Sequence, residues 1–176
     1  MAIEGIPEWV GSVVGFAYPH GKLTEYIKQY LEYAGYLYAR KTGLLLDKTG
    51  FALPEDRFEW TYNANHTNLL EMMAKYVAYP DNGELKFFSF GVHSIDYKNS
   101  WDVLDEFAET YGGRYDEFYY ATNREIFEYE DAIKALDINS ERIINNSSVT
   151  VYITVNNTKV VIPGGKTLLL SDIEAE

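Results

Sequence analysis

The sequence predicts a mostly parallel α/β fold that finishes in short antiparallel strands. Three observations carry this. Apolar runs alternate with helical patterns over residues 1–140. Most of these helical patterns open at a Thr, Asn or Ser cap, and two stop at glycine. From Arg142 onward, β-branched pieces separated by Asn-Asn and Pro-Gly-Gly read as hairpins.

Each element follows from local chemistry. The run SVVGFAYPH, residues 12–20, is continuously apolar and stops at Pro19 and Gly21, as a fully buried strand does. Thr24 then caps a helix in which Leu23, Ile27, Leu31 and Ala34 recur at helical spacing, and Gly35 ends it. YLYARK (36–41) is a short strand, and TGLLLDKTGFALPED has the punctuation of a loop. HTNLLEMMAKYVAY opens at a Thr67 cap and places Leu69, Met72, Met73, Tyr76 and Val77 on one side of a second helix. ELKFFSFGVHS reads as a buried strand. Asn99 or Ser100 caps the next helix, with Trp101, Leu104, Phe107, Ala108 and Tyr111 inward and Gly112-Gly113 as the stop. EFYYAT is strand again, and Asn123 caps a helix to about Leu136 with Ile126, Phe127, Ile133 and Leu136 as its stripe. VTVYITVNNTKVVIPGGKTLLL supplies the antiparallel finish.

The composition narrows the partners. With 176 residues and 47% hydrophobic content the chain buries one sizeable core, which predicts a single domain, 1–176, with residues 141–171 packed on an α/β part of 1–140. The net charge of −12 argues against nucleic acid and anionic membranes and favours neutral or cationic partners. There is no cysteine, hence no disulfide, thiolate metal site or cysteine nucleophile. No signal peptide or membrane-spanning run is evident, so the expected location is the cytoplasm, with no address in the sequence to refine it.

In parallel α/β folds, ligands collect beyond the C-terminal strand ends. Three groups fall there: Tyr18-Pro19-His20, His93-Ser94-Ile95-Asp96 and Thr122-Asn123. Imidazole titrates near neutrality, so His93 suits general acid or base work and Asp96 could orient it. A lone histidine at a strand end is more often structural or solvated, and the same holds for His20 and His66. No HxH or HxxxH spacing links any two of the three. A GxSxG elbow and a phosphate-binding glycine pattern are both missing. Sixteen tyrosines and three tryptophans offer sugar-stacking surfaces, although most such residues serve cores.

Six strings in order, GFAYPHG, YLYARKTG, FALPEDRFEWTYNANH, VHSIDYKNSWDVLDEF, YYATNREIFEY and IINNSSVTVYI, resemble the C-terminal half of polysaccharide deacetylases of the NodB-homology type, carbohydrate esterase family 4. The resemblance implies a partial NodB-type deformed (β/α) barrel with mostly parallel strands and a C-terminal β-hairpin extension. It also implies a divalent metal such as zinc and hydrolysis of N-acetyl groups on an amino-sugar polysaccharide or oligosaccharide. In that pattern His93 matches the histidine that protonates the leaving amine, and Asp96 stands where it could orient it. The backbone N–H of His20 matches the oxyanion donor. Tyr18, Trp60, His66, Trp101 and Asn123 are the implied substrate-binding residues.

The departures are specific. The family's Thr-Phe-Asp-Asp segment and HxxxH-type pair would precede Met1. Asn65 replaces one of two histidines, Val92 stands for a glycine, and His20 and Ile95 each stand for a tyrosine. The metal ligands are therefore expected to be missing from this chain, with no metal bound and little hydrolysis by the chain alone. The alternative is a non-catalytic carbohydrate-binding or structural module. An open half-barrel also exposes a sheet edge, which calls for a homo-oligomer, a separate N-terminal half or a covering element.

Overall fold

The computed structural model describes residues 12–44, 51–97 and 101–173. These form a mixed α/β protein with four α-helices and small sheets, one of them parallel, and they close no barrel. No helix among them is long and apolar enough to cross a membrane. The chain divides into two compact units, Met1–Tyr120 and Ala121–Glu176. The division expected at 140 thus lies inside the second unit, because the last helix packs on the antiparallel strands.

In the first unit, β1 (Gly15–Ala17), β2 (Tyr38–Leu44) and β3 (Trp60–Tyr62) pair in parallel in that order, with Ala17 opposite Arg40 and Arg40 opposite Trp60. Parallel neighbours need a crossover, and α1 (Glu25–Tyr33) supplies the first. Thr24 caps it as expected, its hydroxyl accepting from the Ile27 N–H at 3.3 Å. Leu31 anchors α1 in a cluster with Tyr18, Ala39 and Phe58. β3 was not expected from the sequence; Trp60, Thr61, Tyr62, Asn63 and Ala64 alternate apolar and polar there, but the polar Thr61 and Asn63 are buried along with Trp60 and Ala64.

Two expected strands form no ladder. In ELKFFSFGVHS only single bridges form, Lys86 with Ala52 antiparallel and Phe90 with Ala64 parallel. Asn63 explains the interruption. Its N–H donates to the Ser89 carbonyl at 2.7 Å and its side-chain Oδ1 accepts from the Ser89 N–H at 2.9 Å, so one residue occupies both backbone groups. EFYYAT forms no strand either; Tyr120 donates its hydroxyl to the Tyr111 carbonyl and accepts from the Arg114 N–H, which folds the segment back on its own chain.

The helix α2 (Leu69–Ala78) begins one residue later than expected, with Asn68 at the cap position. Thr67 instead donates its N–H and hydroxyl to Asn65 Oδ1, at 2.8 and 2.6 Å. Helix α3 (Asp102–Tyr111) starts after Trp101, and the expected caps Asn99 and Ser100 lie outside the described residues. Val103, Leu104 and Phe107 of α3 pack against Phe51, Ala64, Leu69 and Met72.

The second unit opens with α4 (Asn123–Lys134). Its cap is Thr122 rather than Asn123: the Thr122 hydroxyl accepts from the Glu125 N–H while Glu125 accepts from the Thr122 N–H at 2.7 Å, a reciprocal capping box. The helix stops before Leu136, which enters β4 (Leu136–Ile138). β5 (Arg142–Asn145) pairs antiparallel with β4 and with β8 (Thr167–Leu169), while β6 (Val151–Val155) and β7 (Thr158–Ile162) form a hairpin. Asn156 and Asn157 turn that hairpin at φ 49° and 67°, the left-handed pair a tight primed turn requires. Ala132, Ile143, Val151 and Ile162 form the core, with Tyr129 and Ile133 of α4 against it.

Candidate functional site

The C-terminal edge of the parallel strands is where the first unit gathers its histidines. Beyond β1 the chain makes a single 3₁₀ turn, Pro19–Gly21, whose start is favoured by proline. Within it His20 takes φ 55°, a left-handed conformation uncommon outside glycine, and its side chain is exposed. Gly21 follows at φ 67° and its Cα faces Thr42 so closely that a Cβ would collide with that side chain. The turn is therefore seated against β2.

Beyond β3 come Asn63, Ala64, Asn65 and His66. Asn65 is committed to structure: its N–H donates to Asn68 Oδ1 at 2.9 Å and its Oδ1 accepts from Thr67, which together shape the entry to α2. His66 is half-buried beside it. Beyond the Phe90–Ala64 bridge, the Gly91 N–H donates to the Ala64 carbonyl at 3.0 Å and the Gly91 Cα lies against the Tyr62 ring with no room for a Cβ. His93 follows, exposed, ahead of a 3₁₀ turn at Ser94–Tyr97. The Asp96 side chain lies outside the described residues. His20 thus follows β1, His66 follows β3 and His93 follows the Phe90 segment bridged in parallel to Ala64, all on the C-terminal side, while β2, which lies between β1 and β3, carries no histidine at its end.

Other expected site residues stand elsewhere. Tyr18 is 3% exposed and packs beneath α1, so it offers no surface to a ligand at the edge. Its hydroxyl is buried without a hydrogen-bond partner. Burial pushes that phenol's pKa up, with the nearby Lys28 ammonium offsetting part of the rise and Asp56, Glu59 and Glu32 adding to it. Trp60 is 1% exposed, its indole set edge-on to Phe87 at 5.9 Å and tilted against Tyr38 at 6.3 Å. A stacking platform must present a ring face, so Trp60 serves as support. Trp101 is 51% exposed at the start of α3. Asn123 is the first residue of α4 in the second unit.

The sequence reading passed over an ion cluster under α1. Lys28 pairs with Asp56 and, at 3.2 Å, with Glu59, whose other oxygen meets Lys41 at 3.1 Å. Burial pushes the Asp56 carboxyl up, but the Lys28 ammonium and the Phe58 N–H outweigh it and hold the carboxyl below its ordinary value. Lys41 and Lys28 hold Glu59 low in the same way, and Lys28 is raised mainly by its bond to Asp56. The paired residues are 18 to 31 positions apart in sequence, so no local pattern marked them.

Among the described residues no group of three or more histidine, aspartate or glutamate side chains comes together as a metal-ligand set. The three histidines are distributed along the edge rather than converged on a point, so these residues do not fit the zinc that the deacetylase resemblance implies. No protein-family model matches the chain, and no curated protein or solved structure matches it either.

Proposed function

We propose that the first unit is a deacetylase-like partial (β/α) barrel that takes an amino-sugar polysaccharide or oligosaccharide along the C-terminal edge of its parallel strands. The observation that carries this reading is the placement of His20 past β1, His66 past β3 and His93 past the segment bridged in parallel at Phe90, all at the C-terminal side of the parallel strands. In this reading His93, exposed as His20 is, takes the part of the imidazole that donates a proton to a leaving amine. No step runs through a metal held by these residues; hydrolysis belongs to the reading only when a further segment or chain brings metal ligands. β1 is the outer strand of its sheet among the described residues, which is where a separate N-terminal half or a second copy would pair.

A second reading, a non-catalytic saccharide-binding module derived from a deacetylase, is favoured by the commitment of Asn65 to the α2 entry and of Tyr18 to the core. Both readings predict binding of N-acetylglucosamine oligomers. Titration calorimetry of the chain, its His93→Ala variant and its Trp101→Ala variant tests this, with acetate release and zinc content measured on the same preparations. Binding weakened several-fold in either variant supports the edge as the site. Unchanged affinity in both, or no binding, removes it. Acetate release restored by an added segment with Asp and His ligands, and abolished by His93→Ala, selects the first reading over the second.

A further inference from the structure

We infer that the outward face of α1 docks an extended β-1,4-linked amino-sugar chain whose amines are free and protonated. This inference concerns a different surface from the strand edge and does not rest on the reading given for it. The helix reads EYIKQYLEY, in which a Glu-Tyr pair occurs twice, Glu25-Tyr26 and Glu32-Tyr33, seven residues apart. Seven residues fall roughly 20° short of two full turns. The second pair therefore stands almost above the first, about 10.5 Å along the axis.

The inner side of the helix is accounted for. Leu31 is 3% exposed in the core, and Lys28, the single cation of α1, is held by Asp56 and Glu59. What remains outside is an acidic row, Glu25 and Glu32 with Gln29 between them, beside a tyrosine row, Tyr26 and Tyr33 flanked by Tyr30. Gln29 donates to Glu25 at 3.0 Å and leaves its charge in place. Tyr26 is 78% exposed and Tyr33 90%, so both rings are largely open to solvent. Exposed single aromatics are ordinary, but two placed in register with two carboxylates form a repeating surface.

Three properties select the partner. The carboxylates lack a counter-cation on α1 and lie on a chain of net charge −12, which favours a cation. Ring faces favour flat C–H surfaces and nearby ammonium groups. A straight helical ridge favours a stiff, extended ligand over one that must be ordered on binding. A polyglucosamine chain has all three. In its two-fold extended form every second sugar presents the same face and the same amine side, so two such sugars meet the two Glu-Tyr pairs in register.

The test titrates the full chain with glucosamine hexamer, its N-acetylated counterpart and hexalysine, at a pH where the amines are protonated. We expect the glucosamine hexamer to bind about tenfold more tightly than the N-acetylated one through the charge-assisted contacts. The double variant E25Q/E32Q should remove that preference, and Y26A/Y33A should weaken the glucosamine hexamer about fivefold through loss of ring contacts. All four side chains are exposed, so circular dichroism should read an unchanged fold in both variants. Equal or tighter binding of the N-acetylated hexamer, hexalysine binding as tightly as the sugar, an unchanged affinity in Y26A/Y33A, or no binding would each overturn the inference. The strand-edge reading is untouched by any of these outcomes, because it is read with N-acetylated ligand in His93 and Trp101 variants.

Discussion

The two units fold by different logics. In the second, β4 meets β5 and β6 meets β7 across short turns, β8 returns antiparallel to β5, and the β6–β7 ladder runs from Val151–Ile162 to Val155–Thr158 without a break. In the first, parallel pairing depends on crossovers, the strands are short, and the register shifts between Arg40 and Leu44. The treatment of buried polar groups differs in the same direction. Asn145 is 0% exposed, yet it donates to the Val149 and Ile162 carbonyls at 2.7 and 2.9 Å and accepts from Ser147. Tyr18 in the first unit buries a hydroxyl with no hydrogen-bond partner. Local partners can be specified one by one in sequence; distant partners depend on the whole sheet arriving.

The largest expected effect breaks the first unit alone. Replacing Trp60 with Ala removes a buried indole and should cost about 3–5 kcal/mol. All three tryptophans precede residue 121, so the change is followed by tyrosine-region circular dichroism and by proton exchange of α1 amides. A loss of saccharide affinity with stability intact would return Trp60 to the ligand surface.

Asn145→Ala should be next, about 2–3 kcal/mol, because it removes the donor to the buried Ile162 carbonyl, one of the two donors to the Val149 carbonyl and the acceptor of the Ser147 groups at once. Its effect should be confined to exchange rates in 121–173 and leave tryptophan fluorescence unchanged. A shift smaller than half a kcal/mol would mean water replaces the amide. Thr122→Ala removes one side of the capping box and should cost about 1 kcal/mol, read as faster exchange in the first turn of α4.

The smallest effect is electrostatic and belongs to the first unit. Asp56 and Glu59 have depressed pKa values in the fold, so their contribution is present above the unfolded carboxylate value of about 4 and is lost as pH falls through their folded values. The carboxylates are 39% and 34% exposed, so solvent screening limits the contribution to under about 1 kcal/mol. Urea midpoints followed by tryptophan fluorescence at pH 6 and pH 3 should fall more for the natural chain than for Lys28→Met. Equal falls would assign the acid sensitivity to other carboxylates.

The same contrast explains what the sequence could be made to say. The helices were legible because caps and stripes act within a few residues, and the Asn156-Asn157 hairpin was legible because its turn chemistry is local. ELKFFSFGVHS was misread because an apolar run reports burial, and Phe87 achieves burial at 4% exposure without a ladder. β3 was passed over although Trp60-Thr61-Tyr62 alternates apolar and polar, because three residues are too short a run to stand out, and its polar Thr61 is buried like Trp60. At the edge, His20 was legible because it follows the apolar run of β1, whereas His66 follows the unexpected β3, His93 follows a segment with single bridges only, and the burial of Tyr18 and Trp60 depended on what α1, β2 and Phe87 placed over them.

The joint between the units has a consequence for anyone who wishes to separate them. Tyr120 is tied back through its hydroxyl to Tyr111 and Arg114, and Thr122 is tied forward to Glu125. Only Ala121 lies between these anchors. A protease must draw an extended stretch of substrate into its cleft, and this joint has almost no slack to surrender. The boundary between the two units is therefore expected to resist digestion.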